Sequence, residues 1–110
     1  MKAAARNPGN SKEVMTLLLG GTPLWIAAKG GHDTVVNDLV QRRDVNVNSM
    51  SISGRSPLFW PSWCNMERIV TILIDAGADP HLVDENRDTP VTVATRNGHG
   101  RVVRVLERSG

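Results

Sequence analysis

A single cysteine, Cys64, is all the chain has. That excludes an intrachain disulfide and any metal cage built of thiolates, and it fits a reducing compartment. Long apolar segments are missing as well. The longest purely aliphatic run is Leu17-Leu18-Leu19, far short of the roughly 20 residues that a membrane-spanning helix needs. The start, Met1-Lys2-Ala3-Ala4-Ala5-Arg6-Asn7-Pro8, has no apolar core of the kind a secretory signal carries. Charge of one sign is scarce. Thirteen Lys and Arg against eleven Asp and Glu leave a formal net charge of +2, too little to argue for nucleic acid or a membrane surface without a concentrated patch. The expectation is a cytosolic or nuclear protein.

The residue patterns of catalysis are also lacking. His32, His81 and His99 stand far apart with no i, i+4 pair, so no metal site is expected. Gly30-Gly31 and Gly98 are followed neither by Lys-Ser/Thr nor by a G-x-G-x-x-G pattern, which removes a phosphate-cradling loop. His32-Asp33 among plentiful serines invites a triad, but His32 and His99 share one phase of a repeat and so read as turn residues. Cys64 has no basic neighbour in sequence to activate it. The chain is expected to be no enzyme, with no catalytic residue, cofactor or metal.

What is present is a period. Thr22-Pro23-Leu24, Ser56-Pro57-Leu58 and Thr89-Pro90-Val91 begin at 22, 56 and 89, so the spacings are 34 and 33 residues. In each, a hydroxyl can cap a helix and the proline suits the first helical position. Ten residues after each start lie His32, Met66 and His99. Thirteen and fourteen residues after lie Val35-Val36, Ile69-Val70 and Val102-Val103, and seventeen after lie Leu39, Leu73 and Leu106. This is an apolar stripe at helical spacing. Each unit is therefore a short helix, a glycine-centred turn and a second amphipathic helix. One pair cannot bury its stripe alone, so Val35, Val36 and Leu39 are expected to pack on Leu58, Ile69 and Leu73 of the next unit. At 40% hydrophobic and 22% charged, the composition is that of a folded domain with one continuous core.

The residues TPLWIAAKGGH, SPLF and IVTILIDAGADP resemble the ankyrin repeat, a helix–turn–helix unit with an extended β-turn loop. The resemblance spans residues 21 to 110 and implies an all-α solenoid of stacked units in a single domain, 1–110. The repeats are 21–54, 55–87 and 88–110, and 1–20 is a partial repeat or cap. In that first segment Glu13 to Leu19 reads as a second helix, yet Leu19 runs through Gly20-Gly21 straight into Thr22 without a linking loop. An imperfect cap is expected there. Beginning and ending part-way through units suggests a fragment of, or relic from, a longer array; the alternative is a small protein that tolerates ragged caps.

Several residues depart from the family pattern. Where the family usually has a histidine that fixes the turn, the fourth position of the start motif holds Trp25, Phe59 or Thr92. The turns must then lean on the Thr22, Ser56 and Thr89 hydroxyls alone or on aromatic packing. In the middle unit Pro61 falls inside the first helix, at a cost of about 3 kcal/mol for an interior proline, and Cys64-Asn65-Met66 replaces Gly-Gly-His. That helix is predicted to be short or distorted. Gly54 occupies a loop position with positive φ in the family; its counterpart is Arg87, and neighbouring Asn86 is expected to take the left-handed conformation instead. Asn46, after Asp44-Val45, is expected to brace its loop, and the resemblance also marks it as the kind of asparagine that hydroxylases modify in the family.

The resemblance implies that partners dock on a concave face lined by the first helices and the loop tips. Lys29, Trp63 and Arg96, seven residues after each start, are expected to form a column there, with Phe59 and Trp25 one turn away. Trp and Arg dominate interface energies, and Trp63 between two cations can hold them by cation–π contact. The candidate partner-binding residues are Lys29, Phe59, Trp63 and Arg96, with Met50, Ile52, Arg55, Glu85, Asn86 and Asp88 at the loop tips. The competing reading makes the aromatics core fillers; it is preferred for Trp60, while for Trp63 the two stand even. Arg101, Arg104 and Arg108 share one face of the last helix and read as a solvated surface, not an anion site. The function expected is a protein–protein interaction module, part of a larger scaffold or sensor. It would act as a monomer on another protein and not on nucleic acid or a membrane. A structural solenoid segment without its own ligand, or an inhibitor or regulatory subunit of an enzyme, is the alternative.

Overall fold

Thr22 opens the first helix in the way its hydroxyl predicts. In the computed structural model of the protein, which describes residues 22–51 and 54–108, Thr22 Oγ1 accepts the Trp25 N–H at 3.2 Å and Pro23 takes the first helical position. Among the described residues six helices form three pairs: α1 Pro23–Lys29 with α2 Asp33–Val40, α3 Phe59–Trp63 with α4 Glu67–Asp75, and α5 Pro90–Arg96 with α6 Gly100–Arg108. No strand occurs among the described residues, and the architecture is the all-α stack the resemblance implies. The partial repeat expected at 1–20 lies outside the described residues.

The first helix of each pair packs on the second. Helix α3 also packs on α1 and α5, and α4 on α2 and α6, so two layers of helices run side by side. Leu24, Ala28, Val36, Leu58, Val70, Leu73, Ala94, Val102 and Leu106 join the three pairs into one core. The apolar stripe is not buried evenly. Ile69 and Val70 are both buried, but in the first pair only Val36 is, and Val35 is 42% exposed. In the last pair Val102 is buried and Val103 half-buried. Among the described residues, helix α4 packs between two other second helices and α2 and α6 each against one, and the exposure of Val35 corrects the expectation that it packs against the next unit.

The turns between paired helices close alike. His32, Met66 and His99 donate their N–H groups to the carbonyls of Ala27, Pro61 and Ala94 at 3.0, 2.9 and 3.0 Å, and the residue before each is left-handed: Gly31, Asn65 and Gly98 at φ 77°, 61° and 73°. Asparagine is the side chain that best replaces glycine at such a helix end. Cys64-Asn65-Met66 therefore preserves the turn that Gly-Gly-His makes elsewhere.

The middle unit starts differently. Ser56 Oγ is buried without a partner instead of capping. A turn closed by Phe59 N–H on the Ser56 carbonyl at 3.0 Å delays the helix to Phe59. Helix α3 is five residues long where α1 and α5 have seven. Pro61 is then its third residue, in the first turn, where N–H groups have no intrahelical acceptor. The first i→i−4 bond comes one residue later, from Ser62 N–H to the Leu58 carbonyl at 3.1 Å, reinforced by Ser62 Oγ at 2.8 Å. The short helix is as predicted, but shortening avoids the interior-proline penalty rather than bearing it. Thr92 also does more than its place suggested. Its Oγ1 accepts the Thr89 N–H at 2.7 Å while Thr89 Oγ1 accepts the Thr92 N–H at 3.0 Å, so α5 begins in a reciprocal capping box.

The two long loops are braced at matching points. Asn46 Oδ1 accepts the Asn48 N–H at 2.9 Å and Asp79 Oδ1 the His81 N–H at 2.8 Å, while Asn48 Oδ1 reaches across to the Asp79 N–H at 2.8 Å. At the tips, Ser51 N–H bonds the Arg55 carbonyl at 2.9 Å and Asp84 N–H the Asp88 carbonyl at 3.0 Å. The left-handed residues are Gly54 at φ 77° and Arg87 at φ 66°. Arg87 thus takes the conformation expected of Asn86. The Asp84 carboxylate, accepting from the N–H groups of Asn86 and Asp88 at 2.8 and 2.9 Å, fixes the register of the turn and leaves residue 87 in that place.

Leu73→Ala, at the covered centre of α4, is expected to cost about 3 kcal/mol in chemical denaturation, and Val35→Ala under about 0.5 kcal/mol. Arg87→Gly is expected to raise the stability by up to about 1 kcal/mol, since the left-handed region disfavours side chains by about 1–2 kcal/mol and glycine returns part of that as entropy. A lower melting temperature for Arg87→Gly would contradict the assignment of strain to that residue.

Candidate partner-binding face

Three aromatic residues within the five of α3 cannot all turn inward. Phe59 takes the buried place at 1% exposure, Trp60 is half-buried, and Trp63 stands 38% exposed. Their rings form one cluster. Phe59 meets Trp60 edge-on at 5.3 Å and 88°, and Trp63 lies 5.9 Å from Phe59 and 5.7 Å from Trp60. The carbonyl of Trp63, left over at the helix end, accepts from Asn97 Nδ2 at 3.2 Å and from His99 Nε2 at 2.9 Å. The next unit's turn thereby holds this end of α3, and His99 is the turn residue its phase predicts.

The cations gather on Trp60 and not on Trp63. Lys29 Nζ lies 5.3 Å from the Trp25 ring and 5.2 Å from the Trp60 ring. The Arg55 guanidinium lies 4.7 Å from the Phe59 ring and 5.3 Å from the Trp60 ring. Trp60, expected in the core, is the platform that two cations share, and the expected sandwich of Trp63 between Lys29 and Arg96 does not form. Arg96 instead turns to Asp88 within its own unit, at 2.7 Å. Of the other expected contact residues, Met50 is 47% exposed, Glu85 and Asn86 are exposed at the second tip, and Ile52 lies outside the described residues. Phe59 lies beneath the surface and supports it. The pairing of Lys29 with Trp25 was legible, because the two stand at i, i+4 on one helix. The place of Trp60 was not, because it follows from the late start of α3.

Asp84 ties the two loop tips together. Its side chain is 1% exposed and accepts from Arg55 Nε at 3.2 Å. Burial pushes its pKa up, but the Asp88 N–H, the Arg55 hydrogen bond, the Asn86 N–H and the Arg55 charge together outweigh it, so the carboxyl lies below its ordinary value. The second helices carry a separate set of ion pairs between units: Asp33–Arg68 at 3.4 Å, Glu67–Arg101 at 3.9 Å and Asp75–Arg108 at 3.2 Å. Two of the three arginines on the face of α6 are thus engaged with α4, in line with a solvated structural surface. Among the described residues no group of His, Cys, Asp and Glu could hold a metal ion, and no helix is long and apolar enough to cross a membrane.

A carboxyl whose pKa is depressed by folding stabilises the fold above its unfolded pKa and loses that contribution as pH falls through its folded value. Wild-type stability is therefore expected to drop below about pH 4. Asp84→Asn is expected to cost about 2–3 kcal/mol at pH 7 and to show a smaller drop in acid. Equal pH profiles for the two proteins would remove Asp84 from this role.

Comparison with known proteins agrees with this geometry. The family model for ankyrin repeats (three copies) matches residues 1–84. The ankyrin repeat protein YahD of Escherichia coli (strain K12) is 31% identical over 96 residues, 83% of this chain and 48% of that protein. The target of rapamycin complex 2 subunit AVO2 of Saccharomyces cerevisiae is 26% identical over 89% of this chain and 23% of its own length. The crystal structure of an ankyrin repeat domain from Acinetobacter baumannii AYE superimposes with a TM-score of 0.75 at 33% identity, covering 84% of this chain and 49% of that one. The chain spans half or less of the length of each. With a helix-pair stack, matching turns and a family model across most of its length, the chain belongs to the ankyrin-repeat family, whose repeats are in general non-enzymatic protein–protein interaction modules.

Proposed function

We propose that this chain takes a partner protein on the face built from the first helices and the adjoining loop tips, as one part of a larger scaffold or sensor. The observation that carries the reading is Trp63, a large aromatic 38% exposed on an ordered helix end. Its ring rests on Phe59 and Trp60 and its carbonyl is bonded to the next unit. Such a side chain loses little freedom on binding and offers much area, the properties of an interface hot spot. In this reading Lys29 and Arg96 contribute beside it, and Met50, Arg55, Glu85, Asn86 and Asp88 extend the contact from the loop tips.

That one relative is a subunit of a multiprotein complex supports the scaffold part of the reading. In this reading the repeats are 21–54, 55–87 and 88–110 after a partial repeat at 1–20, and the protein works as a monomer in the cytosol or nucleus, where a free exposed thiol such as Cys64 is at home.

Affinity capture from cell extract with wild type, Trp63→Ala and Arg104→Ala tests the reading. A partner is expected to be recovered by wild type and Arg104→Ala and reduced at least 10-fold with Trp63→Ala, the loss of a hot-spot side chain being worth about 2 kcal/mol or more. Recovery that ignores Trp63 would place the interface elsewhere.

A further inference from the structure

We propose that the partner segment is acidic: a carboxylate seats on the Lys29 ammonium, and an apolar side chain close to it in the same segment packs on Trp63. The inference rests on the partner-binding reading above and adds the chemistry of what binds. Its first ground is the state of the charges on this face. Asp84 is taken by Arg55 and two backbone N–H groups, and Asp88 by Arg96. Lys29 has no carboxylate within 4 Å among the described residues; its ammonium rests on the rings of Trp25 and Trp60. Glu85, exposed at the second loop tip, does not pair with it.

The second ground is proximity. The Trp60 ring lies 5.2 Å from Lys29 Nζ and 5.7 Å from the Trp63 ring, so Lys29 and Trp63 are about 11 Å apart at most, the reach of roughly three residues of extended chain. A segment of three or four extended residues that starts on Trp63 and runs towards Lys29 therefore covers both. A neutral segment would bury an ammonium without a counter-charge, which is strongly unfavourable. A basic one would add repulsion. An oxyanion turns the same burial into a charge-assisted hydrogen bond, with the two indole faces holding the ammonium from the other side.

The test is selection of a displayed library of random twelve-residue peptides on the immobilised full chain. Enriched peptides are then synthesised and titrated by fluorescence polarisation against wild type, Lys29→Gln, Lys29→Arg and Trp63→Ala, each first checked for an unchanged melting curve. Enriched peptides are expected to carry Asp or Glu within about three positions of a large apolar residue. Their affinity is expected to fall several-fold between 50 and 300 mM salt, to fall at least 10-fold in Lys29→Gln, and to be largely kept in Lys29→Arg. Neutral or basic peptides, or acidic ones indifferent to Lys29→Gln, would overturn the inference while their loss in Trp63→Ala left the interaction face standing. Failure to obtain any peptide that depends on Trp63 would overturn both.

Discussion

Each helix pair in this chain is covered by its neighbours and by little else, and that mutual burial is the constraint from which the rest follows. Helix α4, flanked on both sides, hides two consecutive apolar residues, Ile69 and Val70, where the first and last pairs fully hide one each. Stability in such a stack is a sum of weak units and stronger contacts between them. The turns, loop braces and ion pairs are arranged to keep those contacts in register. The His99–Trp63 bond and the Asn48–Asp79 bond each join one unit to the next, and the Arg55–Asp84 pair ties the base of the first loop tip to the second.

The middle unit shows what that arrangement tolerates. Its neighbours supply most of its burial, so α3 can begin late, lose its hydroxyl cap and hold a proline without breaking the stack. The shortened helix concentrates Phe59, Trp60 and Trp63 in little more than a turn. Crowding pushes Trp63 outward and leaves Trp60 as a shelf for Lys29 and Arg55. The irregularity that weakens the unit as a helix thereby builds the surface with the most to offer a partner.

Repeats were readable in the chain because packing demands a residue type at a fixed phase: hydroxyl and proline at each start, paired apolar residues, a leucine four positions on from the first of them. The left-handed turn was readable where glycine marked it, and Asn65 preserved it under another name. Features set by more than one phase were harder to read. Arg87 is left-handed because the Asp84 carboxylate, bonding the N–H groups two and four residues on, fixes the turn around it, which the repeat phase does not mark. Val35 is exposed because of which side of α2 the next pair covers, which the repeat pattern does not say. At the candidate face the shared repeat phase of Lys29, Trp63 and Arg96 was legible. The partners of each cation were not, since they depend on where α3 begins.

The bond from His99 to the Trp63 carbonyl spans 36 residues of chain, and those from Asn48 to Asp79 and from Arg55 to Asp84 span 31 and 29. Each closes a loop of about one repeat. The mean sequence separation of contacts in such a chain is set by the unit and does not grow as units are added. Ordering can then nucleate in any adjacent pair and spread outward, so folding should stay fast however long the array, with the ends opening first.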